Sequence, residues 1–129
     1  KDRIERFDLQ SALDTIPNIR LVGPQGYLDI VKLQGNARLA LTDSAGIAEE
    51  TTALQVPCLT LRENTERPVT IEQGSNQLVG CQPQRVIEAA RVALSDRRTS
   101  YPVPPGWDGR SAERLINVLR KGIMRRLRY

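Results

Sequence analysis

Residues 38–67, RLALTDSAGIAEETTALQVPCLTLRENTER, decide the fold. An apolar run at 39–41 ends in Thr42-Asp43-Ser44 and passes directly into helical spacing from about Gly46. The stretch therefore predicts a strand, a tight turn and a helix N-terminus. A second apolar run at 58–61 ends in the polar sequence Arg62-Glu63-Asn64-Thr65-Glu66-Arg67-Pro68. Strands joined through a helix run parallel, and such sheets hold ligands beyond the carboxyl ends of their strands, where the bare N–H groups of the following helix favour an anion. Ser44 puts a hydroxyl at the N-cap position, while Ala45 and Gly46 carry too little side chain to keep a phosphate off the backbone. Glu49 and Glu50 suit the positive end of the helix, and one of them reaching forward can grip a sugar diol. Arg67 arrives at the same rim.

The flanks extend the alternation. Residues 1–14 read as the end of a helix with Ile4, Phe7, Leu9 and Leu13 apolar, broken by Pro17. A short strand is predicted at 19–22, closed by Gly23-Pro24-Gln25-Gly26, and a helix over 27–37 through Leu28, Val31 and either Leu33 or Ala37. Residues 68–73 predict one or two helical turns, with proline in the first turn and Gly74 as C-cap. A last strand follows at 77–79. From Pro83, the positions Val86, Ala89, Ala90, Ala93 and Leu94 describe an amphipathic helix ended by Asp96-Arg97-Arg98. Residues 99–109, with three prolines, two glycines and Trp107, predict an extended loop pinned by the indole. A final helix from Ser111 sets Ala112, Leu115, Leu119, Ile123 and Leu127 on one face.

Composition excludes several classes of function. The 129 residues allow one small domain and contain no histidine, and two cysteines are too few for a structural zinc site. The net charge of +4 is misleading as a sum, because residues 110–129 hold seven Lys or Arg against one Glu and leave 1–109 at −2. That is a basic tail. With 4% aromatics it offers no stacking face for nucleic acid. No apolar run nears the roughly 20 residues of a membrane span, so neither nucleic acid nor membrane is an expected partner. Cys58 and Cys81 fall at opposite ends of predicted parallel strands, on the order of 15 Å apart, too far for a disulfide. Two reduced thiols point to the cytoplasm. The opening residues start in mid-helix and the only methionine is Met124, from which we expect a piece of a longer protein.

LTDSAGIAEETTALQVPCLTLRENTERPVTIEQGSNQLVG resembles the C-terminal signature of the non-hydrolysing UDP-N-acetylglucosamine 2-epimerases, LTDSGGIQEE, then PCLTLRENTERP, then EQG-N-LVG. The resemblance runs from about Gly23 to Gly80 and continues loosely through WDGRSAERL. It implies an α/β chain forming the parallel-sheet, Rossmann-like C-terminal half of a GT-B fold that lacks its first two strands. Residues 1–109 would be the partial nucleotide-sugar domain, and 110–129 a basic helix of that domain or one crossing to a missing N-terminal domain. Carried over by position, Ser44, Ala45 and Gly46 occupy the diphosphate loop, Glu50 the ribose-binding glutamate, Gln25 a place beside the uracil, Ile30 that of an aromatic ring on the base, and Arg67 the arginine of the TERP loop. Ala45 stands for glycine and Ala48 for glutamine. A left-handed conformation at 45 would cost alanine about 1–2 kcal/mol.

The reaction so implied is inversion at C2 of UDP-N-acetylglucosamine to the manno epimer, through elimination of UDP to a 2-acetamidoglucal and re-addition, with no metal and no redox cofactor. Its acid–base carboxylates belong to the other domain, so no catalytic residue is assigned here and the piece alone is expected to be inactive. The complete protein would be a cytoplasmic homodimer feeding cell-envelope polysaccharide synthesis. The alternative readings are a GT-B glycosyltransferase and a non-catalytic nucleotide-sugar-binding homologue.

Overall fold

The runs at 39–41 and 58–61 do pair side by side as parallel strands. The computed structural model describes the backbone of residues 2–96 and 100–126 and the side chains of 3–96 and 100–122. Among these, the elements in order are α1 (Asp2–Arg6), α2 (Gln10–Asp14), α3 (Tyr27–Gly35), β1 (Ala40–Thr42), α4 (Ala45–Ala53), β2 (Cys58–Thr60), α5 (Val69–Glu72), β3 (Asn76–Leu78), α6 (Pro83–Ser95) and α7 (Ser111–Arg126). The strands lie in the order β1-β2-β3, with Leu41 opposite Leu59 and Leu59 opposite Gln77. An α/β chain built on a parallel sheet is what the sequence predicts.

The core is small and unusually rich in hydroxyls. Leu59, Thr51, Thr52 and Thr70 are each no more than 2% exposed, and Ala48, Val56, Cys58 and Val79 complete the apolar part. Threonine is tolerated in the interior of α4 because its hydroxyls return to the helix. Thr51 donates to the carbonyl of Ile47 at 2.8 Å and Thr52 to that of Ala48 at 2.8 Å, which leaves both methyl groups free to pack. Gly74 is a packing requirement, since a Cβ there would run into the Thr70 carbonyl oxygen and the Thr52 side chain.

Helix α4 ends in a Schellman motif: the amide of Val56 donates to the Thr51 carbonyl at 2.9 Å and that of Gln55 to Thr52 at 3.2 Å. Gln55 takes the left-handed position usually given to glycine, with φ 62°. Its side chain explains the choice, because Oε1 accepts from the amide of Tyr101 at 2.7 Å and ties the proline-rich loop to the sheet. In that loop Pro104 is buried and Trp107 half-buried, with the Trp107 amide bonded to the Pro104 carbonyl at 3.1 Å.

Some expectations differ from the structure. Residues 19–22 form no strand; Ile19, Leu21 and Val22 are 42%, 49% and 68% exposed. Apolar content alone does not make a strand, which needs a neighbour for its backbone groups, and the described residues supply none there. The 1–14 helix is two helices, α1 and α2, separated at Asp8 with φ 50°. The inner side of this segment keeps the predicted Val31 and, of the two alternatives, Ala37, but not Leu28. Leu28 and Leu33 are exposed, and Ile30, Val31, Gln34 and Ala37 turn inward. Helices α6 and α7 begin where expected, and the three predicted apolar positions of α7 within the described side chains, Ala112, Leu115 and Leu119, are all exposed, the two leucines by 59% and 51%. The expectations for Lys1, Arg97, Arg98, Thr99 and Leu127, and for the Ile123 side chain, lie outside the described residues.

Candidate functional site

The candidate site lies where β1 and β2 end. Ser44 holds the N-cap position of α4 in an extended conformation, φ −87° and ψ 124°, and both Ser44 and Gly46 are exposed. The expected hydroxyl cap is not made. Instead the Ser44 amide donates to Oγ1 of Thr42 at 3.0 Å, a turn in which threonine accepts from the residue two places on. One amide is thereby used inside the protein. The donors left at the rim are those of Ala45, Gly46 and Ile47, the first residues of a helix, which have no intrahelical acceptors. Ala45 is helical and half-buried, and residue 45 is absent from the positive-φ positions. Alanine there carries no left-handed strain. A Cβ added at Gly46 would meet nothing nearer than the Ser44 hydroxyl at 3.8 Å, so crowding does not require a glycine.

Arg67 is on this rim. Its Nε donates to Oε1 of Glu49 at 2.7 Å and Nη1 to the Glu66 carbonyl at 3.3 Å, while the Glu66 carboxylate pairs with Arg62 at 3.6 Å. The guanidinium of the loop after β2 is thus tied to the helix after β1. The backbone of Arg67 is held as well, by a buried chain of polar groups: Thr60 donates to Asn76 Oδ1 at 2.7 Å, Asn76 Nδ2 to Thr70 Oγ1 at 3.0 Å, and Thr70 to the Arg67 carbonyl at 2.8 Å. The loop is closed from below by Gly80, φ 68°, whose amide donates to the Arg62 carbonyl at 3.2 Å and whose Cα faces the Glu63 carboxylate.

The two glutamates of α4 have different partners. Glu49 takes Arg67, and Glu50, half-buried, accepts from Gln34 Nε2 of α3 at 2.8 Å. Ala45, Gly46, Glu50 and Arg67 are therefore gathered on or against one helix. Gln25 and Ile30 are set apart: Gln25 is exposed and donates to the Gly23 carbonyl at 2.9 Å, and Ile30 is half-buried in the first half of α3. No hydrogen bond among the described residues joins either to residues 44–50 or to Arg67.

Sequence reasoning missed Thr42, Gln34 and the Thr60–Asn76–Thr70 chain. The available signal for Gln34 was a lone amide four residues from Ile30 and three from Val31, within an apolar stripe. Both thiols are free; Cys58 is buried, which pushes its pKa up, and Cys81 is exposed. Among the described residues no three His, Cys, Asp or Glu side chains gather as a metal site, and no helix is long and apolar enough to cross a membrane.

Against known proteins, the family model described as UDP-N-acetylglucosamine 2-epimerase matches residues 1–120. The UDP-N-acetylglucosamine 2-epimerase of Methanocaldococcus jannaschii is 43% identical over 122 residues, 95% of this chain and 33% of its own length. That of Methanococcus maripaludis is 38% identical, over 91% of this chain and 31% of its own. The solved structure of the Methanocaldococcus jannaschii UDP-GlcNAc 2-epimerase in complex with UDP-GlcNAc and UDP superposes with a TM-score of 0.80 at 41% identity, over 93% of this chain and 33% of that one. The chain spans about a third of the length of the relatives it matches.

Proposed function

The chain belongs to the UDP-N-acetylglucosamine 2-epimerase family, and from that membership we propose that it is the UDP-binding part of an enzyme interconverting UDP-N-acetylglucosamine and UDP-N-acetylmannosamine. The observation that carries the proposal is the 2.7 Å bond from Arg67 to Glu49, which sets a cation beside the helix whose first amides are free. A diphosphate met there by the N–H groups of Ala45, Gly46 and Ile47 and by Arg67 is a better leaving group, because charge developing on it as the C1–O bond breaks is already matched. Ser44 lines the same turn, Glu50 grips the ribose, and Gln25 and Ile30 flank the base.

The acid–base groups that move the C2 proton belong to the part of the protein outside this chain. Helix α7, Ser111–Arg126, belongs to this domain or crosses to that part. The complete protein works as a cytoplasmic homodimer and supplies cell-envelope polysaccharide synthesis; the free thiols support the reducing compartment.

The test is made on the intact protein. It is expected to bind UDP and to form UDP-N-acetylmannosamine, and Arg67→Ala is expected to weaken UDP by about ten- to hundredfold, the worth of a charge-assisted bond. UDP binding without turnover would favour the non-catalytic homologue, and sugar transfer to an acceptor the glycosyltransferase. Absence of UDP binding would remove the proposal altogether.

A further inference from the structure

Gln34 is out of place for a residue that only packs. It is 8% exposed on the inward face of α3, beside the half-buried Ile30, Val31 and Ala37. Its Nε2 donates to Oε2 of Glu50 at 2.8 Å, and because an ionised carboxylate only accepts, the amide has one sensible orientation. That orientation leaves Oε1 buried with no protein partner. Methionine or leucine would fill about the same volume and bury no unmatched acceptor. What the amide contributes in return is a grip on one oxygen of Glu50. Among the described residues no other side chain donates to that carboxylate.

We infer that Gln34 is a positioning residue: by holding Oε2 of Glu50 it fixes the carboxylate's torsions and leaves Oε1 to accept from the vicinal hydroxyls of a bound ribose, so that Gln34 sets the discrimination between ribo- and deoxyribonucleotides. A free glutamate has three torsions to order when it binds a ligand, whereas a tethered one has already lost that freedom. The benefit appears only with a ligand whose hydroxyls meet the oxygen. The inference rests on the proposed role of Glu50.

UDP and 2′-deoxy-UDP are to be titrated against the intact protein and its Gln34→Met, Gln34→Leu and Glu50→Gln variants, with a thermal melt of each. Wild type is expected to prefer UDP by about ten- to hundredfold, the worth of one hydrogen bond from a hydroxyl to a carboxylate. In Gln34→Met and Gln34→Leu that preference falls by about two- to tenfold through loss of UDP affinity, the fold-change matching one side chain left to be ordered on binding. The affinity for 2′-deoxy-UDP and the melting temperature stay level or rise. In the Glu50→Gln background, adding Gln34→Met changes the preference no further. An undiminished preference in both Gln34 variants, or a loss shared equally by the two nucleotides together with a lower melting temperature, overturns the inference while UDP binding stands. Equal binding of the two nucleotides by wild type overturns it along with the ribose role of Glu50, and no UDP binding at all overturns the functional proposal beneath both.

Discussion

Two sets of bonds around the Arg67 loop illustrate how far apart similar-looking bonds lie in energy. The Arg67–Glu49 pair is 46% and 36% exposed on its two sides, so solvent screens it, and Glu49→Ala is expected to change the free energy of unfolding by no more than about 1 kcal/mol. Asn76 is 5% exposed and serves two buried threonines at once, so Asn76→Ala should cost about 1–3 kcal/mol, because the Thr60 hydroxyl loses its acceptor and Thr70 Oγ1 its donor. Urea denaturation of both variants checks the contrast. Gly74→Ala belongs with the second kind, at about 1–3 kcal/mol, because the added methyl meets a backbone carbonyl that cannot swing aside. Thiol chemistry gives a separate check. Cys81 is exposed and should react with an alkylating reagent in the folded protein, whereas Cys58, buried and held protonated, should react only on unfolding. At this scale the sequence was legible where backbone chemistry is generic, as at Ala45 and Gly46. It was not legible where a side chain had a choice of partners. Arg67 had Glu63 and Glu66 beside it in sequence and took Glu49, and Ser44 looked like a cap while Thr42 took its amide.

Elements were easiest to read where punctuation is strong. Pro68 and Gly74 bracket α5, Pro83 opens α6, and the turn at Thr42-Asp43-Ser44 separates β1 from α4. Helix faces were harder, because a wide apolar stripe can be centred several ways. In α3 the apolar Leu28 and Leu33 lie outside and the polar Gln34 inside, a choice settled by packing on α4. The start of α7 was legible only as a boundary. Its geometry is an ionic clamp: Asp108 accepts from Arg114 at 2.9 Å and from the Arg110 amide at 3.0 Å. Arg114 first, and then the Arg110 amide, lower the Asp108 pKa to about 2. A carboxylate depressed on folding stabilises above its unfolded pKa, about 4, and loses that contribution as pH falls through about 2. The start of α7 should therefore loosen between about pH 4 and pH 2, seen as lower amide protection, relative to the intrinsic exchange rate at each pH, over residues 108–114, and Asp108→Asn should remove that pH dependence.

At the scale of the molecule, the β-α-β-α-β progression from residue 40 to residue 78 was legible because alternation of short apolar runs with helices leaves few topologies. The segment at 19–22 was misread because strand formation depends on a neighbour, and sequence does not show which neighbours are present. Ligand binding should act on the whole fold. If UDP binds only the native state, a hundredfold excess over its dissociation constant stabilises the intact protein by about 2.7 kcal/mol, visible as a raised melting temperature that Arg67→Ala diminishes. The polar chain beneath the TERP loop also bears on descent. Thr60, Asn76 and Thr70 satisfy one another across β2, β3 and α5, so a lineage that exchanges one of them alone passes through a form with a stranded hydroxyl or amide. Replacement of the set by apolar side chains of similar bulk avoids that penalty, and these three sites should therefore drift together among relatives, either wholly polar or wholly oily.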